Sequence, residues 1–138
     1  MDEEARFHAR IHDLVERAET HRDTFSPPPD PPDPDRAMQY LREGAGPAVS
    51  LYVEARTGGQ MVHFPPEEYH ALEGAMNTWL ELYAACYGED IEVDRALREA
   101  AELLIDTHNI EDVAVMLTHV PETAKGAVTR RSGTRAND

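Results

Sequence analysis

Residues 66–87, PEEYHALEGAMNTWLELYAACY, form the longest stretch of unbroken helical periodicity in the chain and hold its only Trp and its only Cys. Tyr69, Leu72, Met76, Trp79, Leu80, Tyr83 and Tyr87 recur at spacings of three, four and seven, which lines them along one face of a helix. Ala71, Ala75, Thr78, Leu82 and Cys86 run beside that stripe. Together the two strips cover roughly 200° of the circumference, where a surface helix needs only about 100°, so this helix is predicted to have neighbours on two sides. Pro66 suits a first helical turn, Glu67 and Glu68 the positive end of the dipole, and Gly88 a left-handed terminus. Gly74, inside the helix where alanine is intrinsically better, is expected to mark a close backbone approach.

Working outward toward the N-terminus, residues 1–25 are predicted to be an amphipathic helix with Phe7, Ile11, Leu14 and Ala18 on one face. The segment SPPPDPPDPD, residues 26–35, has six prolines in ten positions. It reads as a polyproline spacer that would span about 30 Å if fully extended, placing the first helix on its own domain or on a second copy. Residues 36–121 are the expected core domain. Asp35 is a candidate N-cap for a short helix, RAMQYLRE, stopped by Gly44 and Gly46. From Pro47 the period changes: Val49, Leu51 and Val53 alternate with Ser50, Tyr52 and Glu54, RTGGQ supplies a turn, and MVHF returns before Pro65. That pattern predicts a β-hairpin over 47–64. The competing reading makes Pro47 the first residue of a helix ending at Gly58.

Beyond the central helix, GEDIEVD leads into a predicted amphipathic helix from Val93 to Asp106, with Arg95, Arg98, Glu99 and Glu102 turned outward. Asn109 with Asp112 three residues on resembles a capping pair for a last short helix that buries Val113, Leu117 and Val120. Residues 122–138 are polar and locally basic and are expected to be disordered. The fold class that follows is mainly α with a minor β part (α+β): about five helices around one central helix, with one small hairpin.

The chain has 27 Asp and Glu against 13 Lys and Arg, a net charge of −14, and Lys125 is its single lysine. Carboxylate excess with almost no lysine fits a protein held in concentrated salt. The same charge disfavours nucleic acid and anionic membranes as partners. MDEEARFHAR lacks the apolar segment of a secretory leader, no apolar run approaches bilayer length, and one cysteine cannot form an internal disulfide. The expectation is a cytoplasmic, reduced protein.

Seven histidines raise metal and acid–base chemistry. His8 and His12 lie one turn apart on the first helix, a spacing that can hold Zn²⁺, but on a face without a third buried ligand. His70, Glu73, Asn77 and Glu81 form the polar strip of the central helix. With His63 close by in sequence, His63, His70 and Glu73 would edge a cleft between the hairpin and that helix. Glu67 and His70 make one Glu-x-x-His step, half of a di-metal helix motif whose other half is missing. The last two helices could be taken for a helix-turn-helix, yet IEDVAVMLTH opens acidic where a DNA reader needs basic or amide side chains. No phosphate loop, nucleophile elbow or zinc-ribbon pair is present, and no cofactor is implied.

The segments GPAVSLYVEARTGG, LEGAMNTWLELYAACYG and DTHNIEDVAVMLTHVP, within Asp35 to Pro121, resemble small, acidic, functionally uncharacterised proteins of haloarchaea. The resemblance implies no activity and carries over no site residue. The function expected from these readings is a cytoplasmic interaction or regulatory protein of a halophile, working through protein–protein contacts as a homodimer, with no catalytic chemistry evident. The alternatives are a small metal-binding protein or enzyme using His63, His70 and Glu73, and a nucleic-acid accessory acting through the basic tail.

Overall fold

A computed structural model describes residues 3–57 and 65–121, and these are mainly α. Helix α1 spans Glu3–Thr24, α2 Pro34–Tyr40, α3 Gly46–Thr57, α4 Pro66–Ala85, α5 Leu97–Thr107 and α6 Ile110–Thr118. A π-helical turn, Leu41–Ala45, joins α2 to α3 without a break. The predicted disordered tail lies outside the described residues.

Helix α4 is the centre, packed against α1, α2, the π turn and α3, and touched by α5 and α6. Leu72, Met76, Trp79, Leu80 and Tyr83 of its main stripe are buried, and so are Ala75, Leu82 and Cys86 of the second. Phe7, Ile11, Leu14 and Ala18 of α1 are buried too, because α1 lies along α4 of its own chain. The proline segment turns back to allow this. The Asp33 N–H donates to the Cys86 carbonyl at 2.7 Å, Arg36 donates to the Ser26 carbonyl, and the Arg36 guanidinium stacks 4.6 Å over Phe25. Asp33, not Asp35, caps α2 by accepting from the Arg36 N–H, with Pro34 in the first turn.

The hairpin expected over 47–64 is overturned: residues 46–57 are helical, and no strand occurs among the described residues. The second expected strand, MVHF, falls outside them. Alternation of Val49, Leu51 and Val53 was a partial view of a longer period. Ala48, Leu51, Tyr52 and Ala55 are all buried, the i, i+3, i+4, i+7 set of a helix face, and Val49 is buried beside them.

Gly44 and Gly46 do not stop the preceding helix either; they carry it through the π turn. A Cβ on Gly44 would fall inside the Trp79 ring, and one on Gly46 would sit 2.7 Å from the Leu41 carbonyl. The extra residue of the π turn therefore presents bare backbone to the indole. Trp79 is fully buried, beneath the Arg17 guanidinium and beside the rings of His21 and Tyr40. Its Nε1 has no hydrogen-bond partner among the described residues, a cost of about 1–3 kcal/mol. Burying the ring contributes about 4–6 kcal/mol, so burial wins.

Gly74 is the reverse case. It is exposed, and an added Cβ would meet nothing within 4 Å, so no close approach explains it.

Candidate functional site

The polar strip of α4, where sequence reasoning places a candidate site, is taken up by the chain's own backbone. Residues 89–96 run non-helically alongside α4 before α5 begins at Leu97. Glu81 Oε2 accepts the Val93 N–H at 2.9 Å. Asn77 accepts the Arg95 N–H at 3.0 Å through Oδ1 and donates Nδ2 to the Arg95 carbonyl at 3.2 Å. Glu73 Oε2 accepts the Leu97 N–H at 2.9 Å.

The match is metric. Four helical residues rise about 6 Å and two extended residues advance about 6.6 Å, so side chains at i, i+4 and i+8 meet every second amide of an extended strap running the other way. This also moves the start of α5 from the predicted Val93 to Leu97, whose first-turn amide Glu73 satisfies. Glu81 has a second duty: its Oε1 accepts from Arg22 at 3.3 Å and ties α1 to the same strip.

The remaining predicted site residues do not assemble around these. His63 lies outside the described residues. His70 is exposed, its ring edge-on to Tyr69 at 5.8 Å, while Glu73 is turned toward α5. His8 contacts the Glu68 carboxylate of α4, and His12 is exposed on α1. Among the described residues no three His, Cys, Asp or Glu side chains converge as metal ligands. Cys86 is fully buried, and desolvation pushes its thiol up to about 11, away from the thiolate that nucleophilic or metal chemistry requires.

A surface feature missed in the sequence lies between α3 and α5. A groove of ≈ 500 Å³ is lined by Tyr52, Val53 and Arg56 from α3 and by Arg98, Ala101, Glu102 and Ile105 from α5. Arg56 donates to the Tyr52 hydroxyl at 3.3 Å and stands over its ring. Tyr69 packs edge-on against Tyr52 at 5.8 Å. Burial first and the Glu73 carboxylate second raise the Tyr69 hydroxyl above its ordinary pKa, with Arg98 opposing them.

Four other arginines, Arg10, Arg17, Arg22 and Arg95, each pair with a carboxylate. Arg56 and Arg98 are in no ion pair among the described residues. A hollow of ≈ 360 Å³ beside α1 is lined by Arg10 and Arg17, whose charges are already engaged. The α3–α5 groove thus sets two arginines that form no ion pair among the described residues beside apolar surface, with Ile105 at 49% exposure, and beside Glu102. The only sequence signal was the interval from Arg98 to Ile105, two helical turns on one edge of α5, and it is legible only once α3 is known to be a helix.

A mainly α domain, organised by a central helix that clamps its own strap, is the class these features define. Within it, the chain belongs to the family described as a domain of unknown function (DUF8055), which matches residues 5–122. No curated protein and no solved structure matches it.

Proposed function

We propose that this protein is a cytoplasmic interaction or regulatory protein of a salt-accumulating organism, working through surface contacts as a homodimer. The observation that carries this reading is the α3–α5 groove, which offers Ile105, Val53 and the guanidiniums of Arg56 and Arg98, neither in an ion pair among the described residues. The α4 strip, the alternative centre for catalysis or metal, is consumed by hydrogen bonds to residues 93–97. No helix among the described residues is long and apolar enough to cross a membrane. The dimer no longer rests on a shared hairpin or on exchanged first helices, since residues 46–57 are helical and α1 docks on its own α4. It rests on apolar side chains left at the outer surface of α5 and α6.

The salt reading rests on 27 carboxylates against 13 basic side chains and a single lysine. Two measurements test the proposal. Light scattering of the full chain in molar KCl should give twice 15.5 kDa, and a clean 15.5 kDa particle refutes the dimer. Self-repulsion is screened when the Debye length falls to about 3 Å in molar salt. Cooperative melting should therefore be lost in dilute buffer and restored by molar KCl; equally sharp transitions in both refute the halophilic origin.

A further inference from the structure

We infer that the α3–α5 groove receives the outer face of α6 from a second copy of this chain, so that two identical contacts close the dimer. This rests on the homodimer reading above and names its surfaces.

The argument begins with the sequence of α6. Val113 to Leu117 is an unbroken apolar run in a nine-residue helix, and five consecutive residues go fully around a helix of 3.6 residues per turn. One face, Val113, Ala114, Leu117 and Thr118, is buried in the chain's own core. The opposite face carries Val115, half-buried, and Met116, 48% exposed. Apolar side chains on both faces of a helix call for a second layer, and the chain itself supplies only the first.

The groove has the complementary chemistry. Ile105 and Val53 offer apolar surface, and Arg98 and Arg56, in no ion pair among the described residues, offer positive charge beside Glu102. On the outer face of α6, exposed Asp112 precedes Met116 by one turn, about 6 Å along the axis, while Arg98 precedes Ile105 by about 10 Å along α5. The difference of about 4 Å is within the reach of the long Arg98 side chain, so a carboxylate on Arg98 and a thioether against Ile105 can be met by the same helix. An unrelated acidic helix could fill the groove but would leave Met116 bare. A second copy covers both surfaces at once, and the reciprocal arrangement is the self-complementary contact of a two-fold dimer.

The experiment is sedimentation equilibrium on the full chain in molar KCl, with far-ultraviolet dichroism and Trp79 fluorescence confirming the fold of each variant. Ile105→Asp, Met116→Asp, Arg98→Asp and Asp112→Arg should each weaken dimerisation by about tenfold or more. The double variant Arg98→Asp/Asp112→Arg, which exchanges the charges across the contact, should regain most of the wild-type affinity. Wild-type-like dimers in all four single variants, or a double variant no better than its parents, overturn this inference and leave the dimer reading intact. A monomeric wild-type chain overturns both.

Discussion

Replacing Asn77 with alanine removes both hydrogen bonds that hold Arg95 to α4, at 3.0 and 3.2 Å, and leaves a backbone N–H and C=O without these partners. Asn77 is buried, so water enters only where the side chain has left. Each orphaned group costs about 1–3 kcal/mol and solvation of the new space recovers part of this, which places Asn77→Ala at about 2–3 kcal/mol. Glu73→Gln should cost less, about 1 kcal/mol, because the amide oxygen still accepts the Leu97 N–H while the favourable charge at the α5 terminus is lost. Denaturant unfolding in molar KCl gives both numbers. Hydrogen exchange tests the geometry more sharply: the amides of Val93, Arg95 and Leu97 should be protected, and those of exposed Asp94 and Ala96 should exchange fast. Uniform exchange along 92–97, or an Asn77→Ala cost under about 0.5 kcal/mol, would refute the strap.

Two further perturbations follow. The same substitution should have opposite signs at two glycines: Gly44→Ala drives a methyl into the Trp79 ring and should cost about 3 kcal/mol or more, whereas Gly74→Ala meets open space and should stabilise by about 0.5–1 kcal/mol, both read from denaturant midpoints. For Cys86 the folded pKa stands at about 11 against an ordinary 9.0, raised chiefly by burial. Its contribution to stability is therefore whole below pH 9 and is lost as pH rises through 11, at up to ~1.4 kcal/mol per pH unit. Subtracting the pH profile of Cys86→Ala isolates the thiol from the tyrosines that titrate nearby, and parallel profiles would refute the burial of that thiol.

The two-sided burial of α4, the inward stripe of α1 and the Asn109 cap of α6 were legible because each is written in local periodicity or a local side chain. The helix at 46–57 was legible only as the competing reading from Pro47 to Gly58, since the window fits two periods and the choice rests partly on residues outside it. Val49, Leu51 and Val53 satisfy a period of two while Ala48, Leu51, Tyr52 and Ala55 satisfy the helical one. The choice also depends on whether Gly44 and Gly46 end a helix or pass it under a ring from residue 79. Glycine carries the same letter in both roles. Glu73, Asn77 and Glu81 posed the converse problem: their partners are main-chain amides, which have no side-chain signature. The available clue was a polar i, i+4, i+8 row on a helix already buried on two sides, followed by the alternating Ile91 and Val93 of a strap.

The strap also decides how the core communicates with the proposed contact surface. α5 and α6 pack on each other, and α5 meets α4 through the ladder that ends on its first-turn amide at Leu97. Arg98 follows directly, so the position of a groove residue is set by a hydrogen bond one residue away. Loosening the strap by Asn77→Ala should therefore weaken dimerisation as well as stability, even though Asn77 is not among the residues that line the groove. Substitutions at a distance add independently unless they share a partner or a backbone shift. The check is whether Asn77→Ala and Arg98→Asp combine to less than the sum of their separate effects on the dimer dissociation constant, measured in molar KCl where both variants remain folded. Strict additivity, or a dimer as tight in Asn77→Ala as in wild type, would show that the groove keeps its shape without the ladder.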